Sequence, residues 1–335
     1  MPTPKHPEKP LITITPGDPN GIGPEVVAKA LSNDRVRDEC IPVVIGSRGA
    51  LKMGIEIAGV SLKTRLITDL HAARAEAGYI DVLDDGVLKP KDIELGKVSK
   101  VCGAACGGWL RQAAQLSCDG KADATVMAPI NSESLALAQQ NLTPVFGQDP
   151  SDRYLTLLSG PLRIVHVFDH VLLQDVCTHL SADVVRNAIT KTHQSMTEWG
   201  ISAPRIGVAG LNPHAKGPQE EEAIGPGIVQ AQKQSIDVQG PIPPDTIFRH
   251  CIDGRYDIVI AMFHDQGHIA IKTWGFTGNC ALFMGAPFLF LSVGHGTAFD
   301  IVGQGLADHQ MMLAALLQAA HLASGNGFAD SESPL

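Results

Sequence analysis

No stretch of this sequence approaches the roughly 18 consecutive apolar residues that a membrane helix needs, and the opening MPTPKHPEKP lacks the apolar core of a signal peptide. Neither secretion nor a membrane partner is expected, and a cytoplasmic location is. Positive charge is also scarce. The formal net charge is -9, which argues against nucleic acid as a partner. Disulfides find no support, because the seven cysteines are odd in number and scattered over positions 40, 102, 106, 118, 177, 251 and 280, as reduced structural thiols are. Cys102 and Cys106 stand i, i+4, yet no second pair completes a zinc site. Repeats, heptads and low-complexity tracts are missing too, beyond a polar tail, GNGFADSESPL.

What is present is an alternation. Short Val/Ile-rich runs, LITIT (11–15), IPVVIG (41–46), ATVMA (124–128), RIVHVF (163–168), RIGVAGL (205–211), DIVIAMF (257–263) and LFLSV (289–293), are separated by segments of helical period. Among the latter are PEVVAKALS, with Pro24 placed for the first helical turn, and SADVVRNAITKTHQSMTEWG, with Ser181 as its cap. Such alternation predicts an α/β fold with a largely parallel sheet. At 335 residues the chain exceeds the size at which a single core stops growing, so two lobes are expected.

Histidines follow the apolar runs. His170 comes after RIVHVFD, His214 after RIGVAGLNP, His264 after DIVIAMF, and His295 after LFLSVG. In open α/β sheets the working residues lie just beyond the carboxyl ends of the strands. Three imidazoles brought to one sheet edge would hold a divalent ion with coordination positions left open, as a catalytic metal requires; taken singly, each is equally a hydrogen-bonded loop residue. His166, inside RIVHVF, reads as a core residue. His264 and His268 form HxxxH, but Asp265 stands where a metalloprotease carries glutamate. Two glycine-rich stretches remain. TPGDPNGIGPE (15–25) has the wrong spacing for the GxGxxG dinucleotide fingerprint, and GHGTAFDIVGQG (294–305) follows a strand directly. By composition alone either is a turn.

Together these stretches resemble the isocitrate and isopropylmalate dehydrogenase superfamily, which carries a GDGIGPE-like opening and an HGSAPDIAG-like cofactor loop. Within it the chain resembles the 4-hydroxythreonine-4-phosphate dehydrogenase family of vitamin B6 biosynthesis, through ITPGDPNGIGPE, DHVLLQD, GLNPHA (210–215), GPIPPDTIF (240–248), MFHDQGH (262–268) and GHGTAFDIVGQG. The resemblance implies two α/β lobes with a cleft between them, here drawn as a cofactor-side lobe of 1–128 plus 258–335 and a dimerisation and metal/substrate lobe of 129–257. It implies a homodimer with a shared active site and a metal on His170, His214 and His264, at least one of them from the partner chain. NAD, or less typically NADP, would rest on Gly294, His295, Gly296, Thr297 and Asp300. The implied reaction oxidises a secondary alcohol of a small hydroxy acid and decarboxylates the β-keto acid formed. Lys272, following MFHDQGH, is the expected proton-transfer group, with a solvated lysine as its plain alternative. Asp245 is expected to orient it or bind substrate, or else to cap the next segment. Nitrogen ligands favour zinc, with manganese, cobalt, nickel or magnesium as alternatives.

The sequence departs from the family where substrate binds. Ser132 replaces the lysine of an AP-(I/L)-NK segment, the GHTE stretch is missing, and Ala281 and Phe290 stand where the family has asparagine and arginine. Arg153 and Asn279 are the nearby polar residues left to compensate in part. These losses leave room for alternatives: a dehydrogenase of cis-dihydrodiol carboxylates of the terephthalate type, with Phe283 and Phe290 facing an apolar ring, and an inactive metal-binding paralogue. An ordinary Rossmann hydroxy-acid dehydrogenase is a further rival and predicts no metal.

Overall fold

The computed structural model describes residues 9–147, 153–275 and 278–329. The described strands are β1 (Leu11–Thr15), β2 (Ile41–Ile45), β3 (Lys63–Leu66), β4 (Tyr79–Leu83), β5 (Ala124–Met127), β6 (Tyr154–Ser159), β7 (Leu162–Phe168), β8 (Ile206–Ala209), β9 (Val238–Ile242), β10 (Ile258–Phe263), β11 (Cys280–Met284) and β12 (Phe290–Val293). The chain divides into two compact units, Pro2–Gln148 with Pro287–Ser324, and Asp149–Ala286 with Gly325–Leu335.

In the first unit the strands run β3-β4-β2-β1-β5-β12, all neighbours parallel. β1 is buried at every position, the pattern of a parallel strand covered on both faces. Trp109, on the helix Lys100–Cys118, seals one face against Leu11, Val43 and Ile45. That helix starts where Ser99 Oγ accepts from Cys102 N, a side-chain cap satisfying one of the orphan amides of the first turn. Pro24 sits in the first turn of the helix Gly23–Leu31, as its fixed φ favours.

In the second unit the order is β11-β6-β7-β10-β8-β9. β7, β10, β8 and β9 are mutually parallel, and β6 is antiparallel to both β7 and β11. Leu162, Ile164, Val259, Ala261 and Ile271 are among its core residues. Ser181 caps the helix Ala182–Glu198 through Val184 N, 3.4 Å away. The expected lobe boundaries differ from these units. Residues 258–286 belong with 149–257, because β10 pairs on one side with β7 and on the other with β8. Residues 129–147 belong with the first unit, where the helix Ser132–Leu137 lies so close to the helix Lys100–Cys118 that a Cβ on Gly103 would stand 2.0 Å from Ser134 O.

Candidate metal centre

β7, β10 and β8 are adjacent and parallel, so their carboxyl ends open on one edge. From β7 the chain leaves into Asp169 and His170, and from β10 it passes straight into a helix whose first residue is His264. The His170 and His264 rings stand 4.8 Å apart, and ligand atoms of Asp169, His170 and His264 all lie within 4.8 Å of one another. Asp169 Oδ1 is 2.7 Å from His170 Nδ1, and Asp265 Oδ1 is 2.7 Å from His264 Nδ1. His264 Nδ1 is thus hydrogen-bonded to a carboxylate and keeps Nε2 for a ligand, the pairing that orients metal-bound histidines, whereas Asp169 Oδ1 lies close to His170 without a hydrogen bond and stays open to a cation. Two imidazoles and a carboxylate suit a divalent transition ion. Asp169 was not foreseen as part of this group. Neighbours along a strand face opposite sides, but the strand ends at Phe168, so Asp169 and His170 can turn to one point.

Beneath the cluster lie two further imidazoles. His268 stacks on His264 at 3.6 Å and donates from Nδ1 to the His264 carbonyl, 3.1 Å away. His166 is buried, donates from Nδ1 to Leu155 O at 2.9 Å, and has no partner at Nε2. Burial pushes both down to about 4, so both rings are neutral at pH 7. The core position expected for His166 is what is observed.

His214 is not in this group. It lies on the turn Pro213–Ala215, exposed, with φ 59°. Lys272 is exposed, two turns along the helix His264–Trp274 from His264. Asp245 is exposed and accepts from Thr246 Oγ1 at 3.1 Å; Thr246, not Asp245, occupies the N-cap position of the next helix, without a side-chain bond to its amides.

The first unit carries the candidate cofactor loop. β1, β5 and β12 are parallel neighbours, and the loops 16–22, 128–131 and 294–305 leave their carboxyl ends together. Gly294, Gly296 and Asp300 are exposed, and nothing lies within 4 Å of where a Gly296 Cβ would be. That leaves bare backbone which a nucleotide can approach. His295 Nδ1 stands 2.9 Å from Gly296 O. Thr297 is buried, and its carbonyl accepts from Ile22 N at 3.1 Å, while a Cβ on Gly21 would stand 2.7 Å from Thr297 Cβ. The glycines of TPGDPNGIGPE thus serve close backbone packing: Gly17 has φ 70° and Gly23 abuts Pro16 O. Cys102 and Cys106 are buried beneath this loop, their thiols pushed up by burial, as inert structural cysteines are.

Two expectations about substrate change. Phe290 is 1% exposed and packs on Phe146 at 4.5 Å between ring centroids. It is a core residue of its unit and offers no face to a ligand ring. Ala281 is buried in β11. Asn279 is buried and donates to Gly275 O at 3.1 Å, and the Arg153 guanidinium lies 5.7 Å from the Phe283 ring centroid. Ser132 is exposed on the first turn of its helix, capped by Asn131.

The profile of the family described as "Pyridoxal phosphate biosynthetic protein PdxA" matches residues 38–319. A protein of Novosphingobium aromaticivorans named "Putative 4-hydroxythreonine-4-phosphate dehydrogenase" is 47% identical over 320 residues, covering 96% of this chain and 97% of the relative. A D-threonate 4-phosphate dehydrogenase of Cupriavidus necator is 39% identical, covering 94% and 98%. The crystal structure of a 4-hydroxythreonine-4-phosphate dehydrogenase from Burkholderia phymatum matches with a TM-score of 0.84 at 37% identity, covering 94% of this chain and 98% of that one. Relatives this similar over nearly the whole length disfavour the dihydrodiol and inactive-paralogue readings, and the chain belongs to the PdxA family of pyridoxal phosphate biosynthetic proteins.

Proposed function

We propose that this protein is a divalent-metal- and NAD-dependent dehydrogenase that oxidises the 3-hydroxyl of a 4-phosphorylated hydroxy acid, either 4-hydroxythreonine 4-phosphate or D-threonate 4-phosphate, and decarboxylates the product. The observation that carries the reading is the convergence of Asp169, His170 and His264 at the carboxyl edge of β7 and β10. A bound cation would lower the pKa of the substrate hydroxyl and stabilise the negative charge left by decarboxylation, and NAD would supply the hydride acceptor.

The chain's own residues do the rest. His170 and His264, the latter backed by Asp265 on Nδ1, would hold the cation, and His214 would complete the set across a homodimer. Lys272 takes the hydroxyl proton as hydride leaves the same carbon, with Asp245 directing it. The ketone so formed stands β to the substrate carboxylate. Loss of CO2 leaves an electron pair in the enolate, and the proton on Lys272 returns to carbon. Gly294, His295, Gly296, Thr297 and Asp300 would carry the adenosine end of NAD.

A second copy is favoured by the apolar side chains beside the site. Val171, Leu172 and Leu173 follow His170 and are half or more exposed, as is Ile269 on the helix that carries His264. Large apolar residues grouped around polar ones mark contact surfaces. Zinc is the proposed ion on ligand type, and all seven thiols are free, as in the cytoplasm.

The test is NADH formation followed at saturating NAD with the two phosphorylated acids and, as a control, a carboxylated cis-dihydrodiol. Turnover with a phosphorylated acid that EDTA abolishes and added metal restores is the expected result. Turnover confined to the dihydrodiol, or untouched by complete removal of metal, would overturn the reading.

A further inference from the structure

His214 and Ala215 both have left-handed backbone, φ 59° and 51°. Non-glycine residues stay in that region only where the surroundings over-determine them. Here the surroundings are two side chains. Glu220, 4% exposed, accepts from Leu211 N (2.7 Å) and Asn212 N (2.8 Å) on Oε1, and from Asn212 Nδ2 (2.7 Å) on Oε2. Gln266, two residues after His264, accepts from Met262 N at 2.7 Å and donates to Gly210 O at 2.8 Å.

The geometry points to a clamp in which Glu220 and Gln266 are positioning residues: they fix the loop 210–215 so that His214 is presented as a metal ligand to the site it completes across the dimer. This rests on the reading of His214 as a ligand and explains how that reading is built. Gln266 ties the loop to the start of the helix His264–Trp274, so the loop that presents His214 to the partner rests on a rigid element of its own chain. Glu220 lies in a wide π-turn, a feature often found at functional sites. Burial alone would raise its carboxyl, but the donors from Asn212 and Leu211 outweigh burial and hold it below the usual range; it is ionised when the loop is closed on it. The cradle leaves no slack. A Cβ on Gly210 would stand 2.7 Å from Ala215 Cβ, and one on Gly217 would stand 3.1 Å from Glu220 Oε2.

The test is a double-mutant cycle read by Co2+ binding, with affinity and the visible d–d spectrum measured on full-length protein without substrate or NAD. Glu220→Gln replaces an acceptor oxygen by an amide NH2, a donor that opposes Asn212 Nδ2. It is expected to weaken Co2+ by about tenfold to a hundredfold, the usual effect of losing an outer-layer partner, and to shift the spectrum towards that of His214→Ala. In the His214→Ala background Glu220→Gln should cost nothing further. Gln266→Met tests the other arm with the same readout and stands in if Glu220→Gln fails to fold. If His214→Ala loses affinity while both clamp variants bind Co2+ as the wild type does, or each adds its full loss to that of His214→Ala, the clamp is wrong and the ligand stands. If His214→Ala itself binds Co2+ unchanged, the ligand assignment falls and takes the clamp with it.

Discussion

Gly267 is the third residue after His264 on the helix His264–Trp274, and it faces the buried imidazole of His166. A Cβ there would stand 2.2 Å from His166 Nε2 and 2.7 Å from Ile164 Cγ2. Comfortable separation is about 3.5–4.0 Å, so helix and ring must part by more than about 1 Å. His166 cannot swing away, since Nδ1 is held by Leu155 O and the ring is sealed in the core. Overpacking of this kind costs about 1–3 kcal/mol, while alanine in place of glycine gains about 1 kcal/mol of helix propensity. Gly267→Ala should therefore lie between neutral and about 2 kcal/mol destabilised. Gly108, within the helix Lys100–Cys118, supplies the control, for its Cβ would meet nothing within 4 Å. Gly108→Ala should gain about 1 kcal/mol, so urea denaturation of metal-free protein should separate the two variants by the overpacking cost, about 1–3 kcal/mol. Because the retreating helix carries His264 away from His170, Gly267→Ala should also bind Co2+ more weakly. Equal stability of the two variants would show that the contact yields without cost and would refute the reasoning.

Lys29 donates to Glu25 Oε1, Gly305 O and Ala307 O at 2.7–2.9 Å, and Glu25 Oε1 also accepts from Ala307 N; Lys29→Met strands a buried carboxylate at the exit of the candidate cofactor loop. It is expected to cost about 3–5 kcal/mol and to weaken NAD binding measured by calorimetry, and unchanged NAD affinity in the folded variant would count against that loop as the cofactor's support. Phe290→Arg, which restores the arginine of the family pattern, buries a charge against Phe146 and should destabilise by more than about 4 kcal/mol without improving KM for a phosphorylated substrate; a stable variant with lower KM would reverse the placement of Phe290 in the core. Burial would raise the Asp257 carboxyl, but bonds from Arg205 hold it below the usual range. That contribution is complete above the ordinary carboxylate pKa of about 3.9 and is lost as pH falls through the depressed folded value. The gap in urea midpoint between wild type and Arg205→Gln should accordingly persist at neutral pH and close in acid, and a gap constant down to about pH 2 would contradict this assignment.

Most parallel strands were legible in the amino-acid sequence because burial on both faces leaves an uninterrupted apolar run: LITIT, ATVMA and DIVIAMF sit where β1, β5 and β10 lie, whereas β4, YIDVL, is interrupted by the buried Asp81 and was not. Strands at sheet edges were not. β3 is KTRL and β9 is VQGPI, charged or broken by Gly-Pro as edges are, and the antiparallel pairing of β6 with β7 and β11 has no counterpart in local pattern. The same division runs through the candidate site. Residues standing just past a strand, His170, His214 and His264, are found by reading along the chain, since that depends only on where an apolar run stops. Which of them meet depends on strand order, and the adjacency of β7 and β10 joins residues 94 apart in the chain, His170 with His264. Asp169 entered the cluster only because β7 ends one residue before it, and Phe290 left the candidate pocket because Phe146 packs over it. Local chemistry and periodicity are properties of a few consecutive residues and survive in the sequence. Proximity between distant residues comes from packing of the whole chain, and the tertiary structure alone decided it.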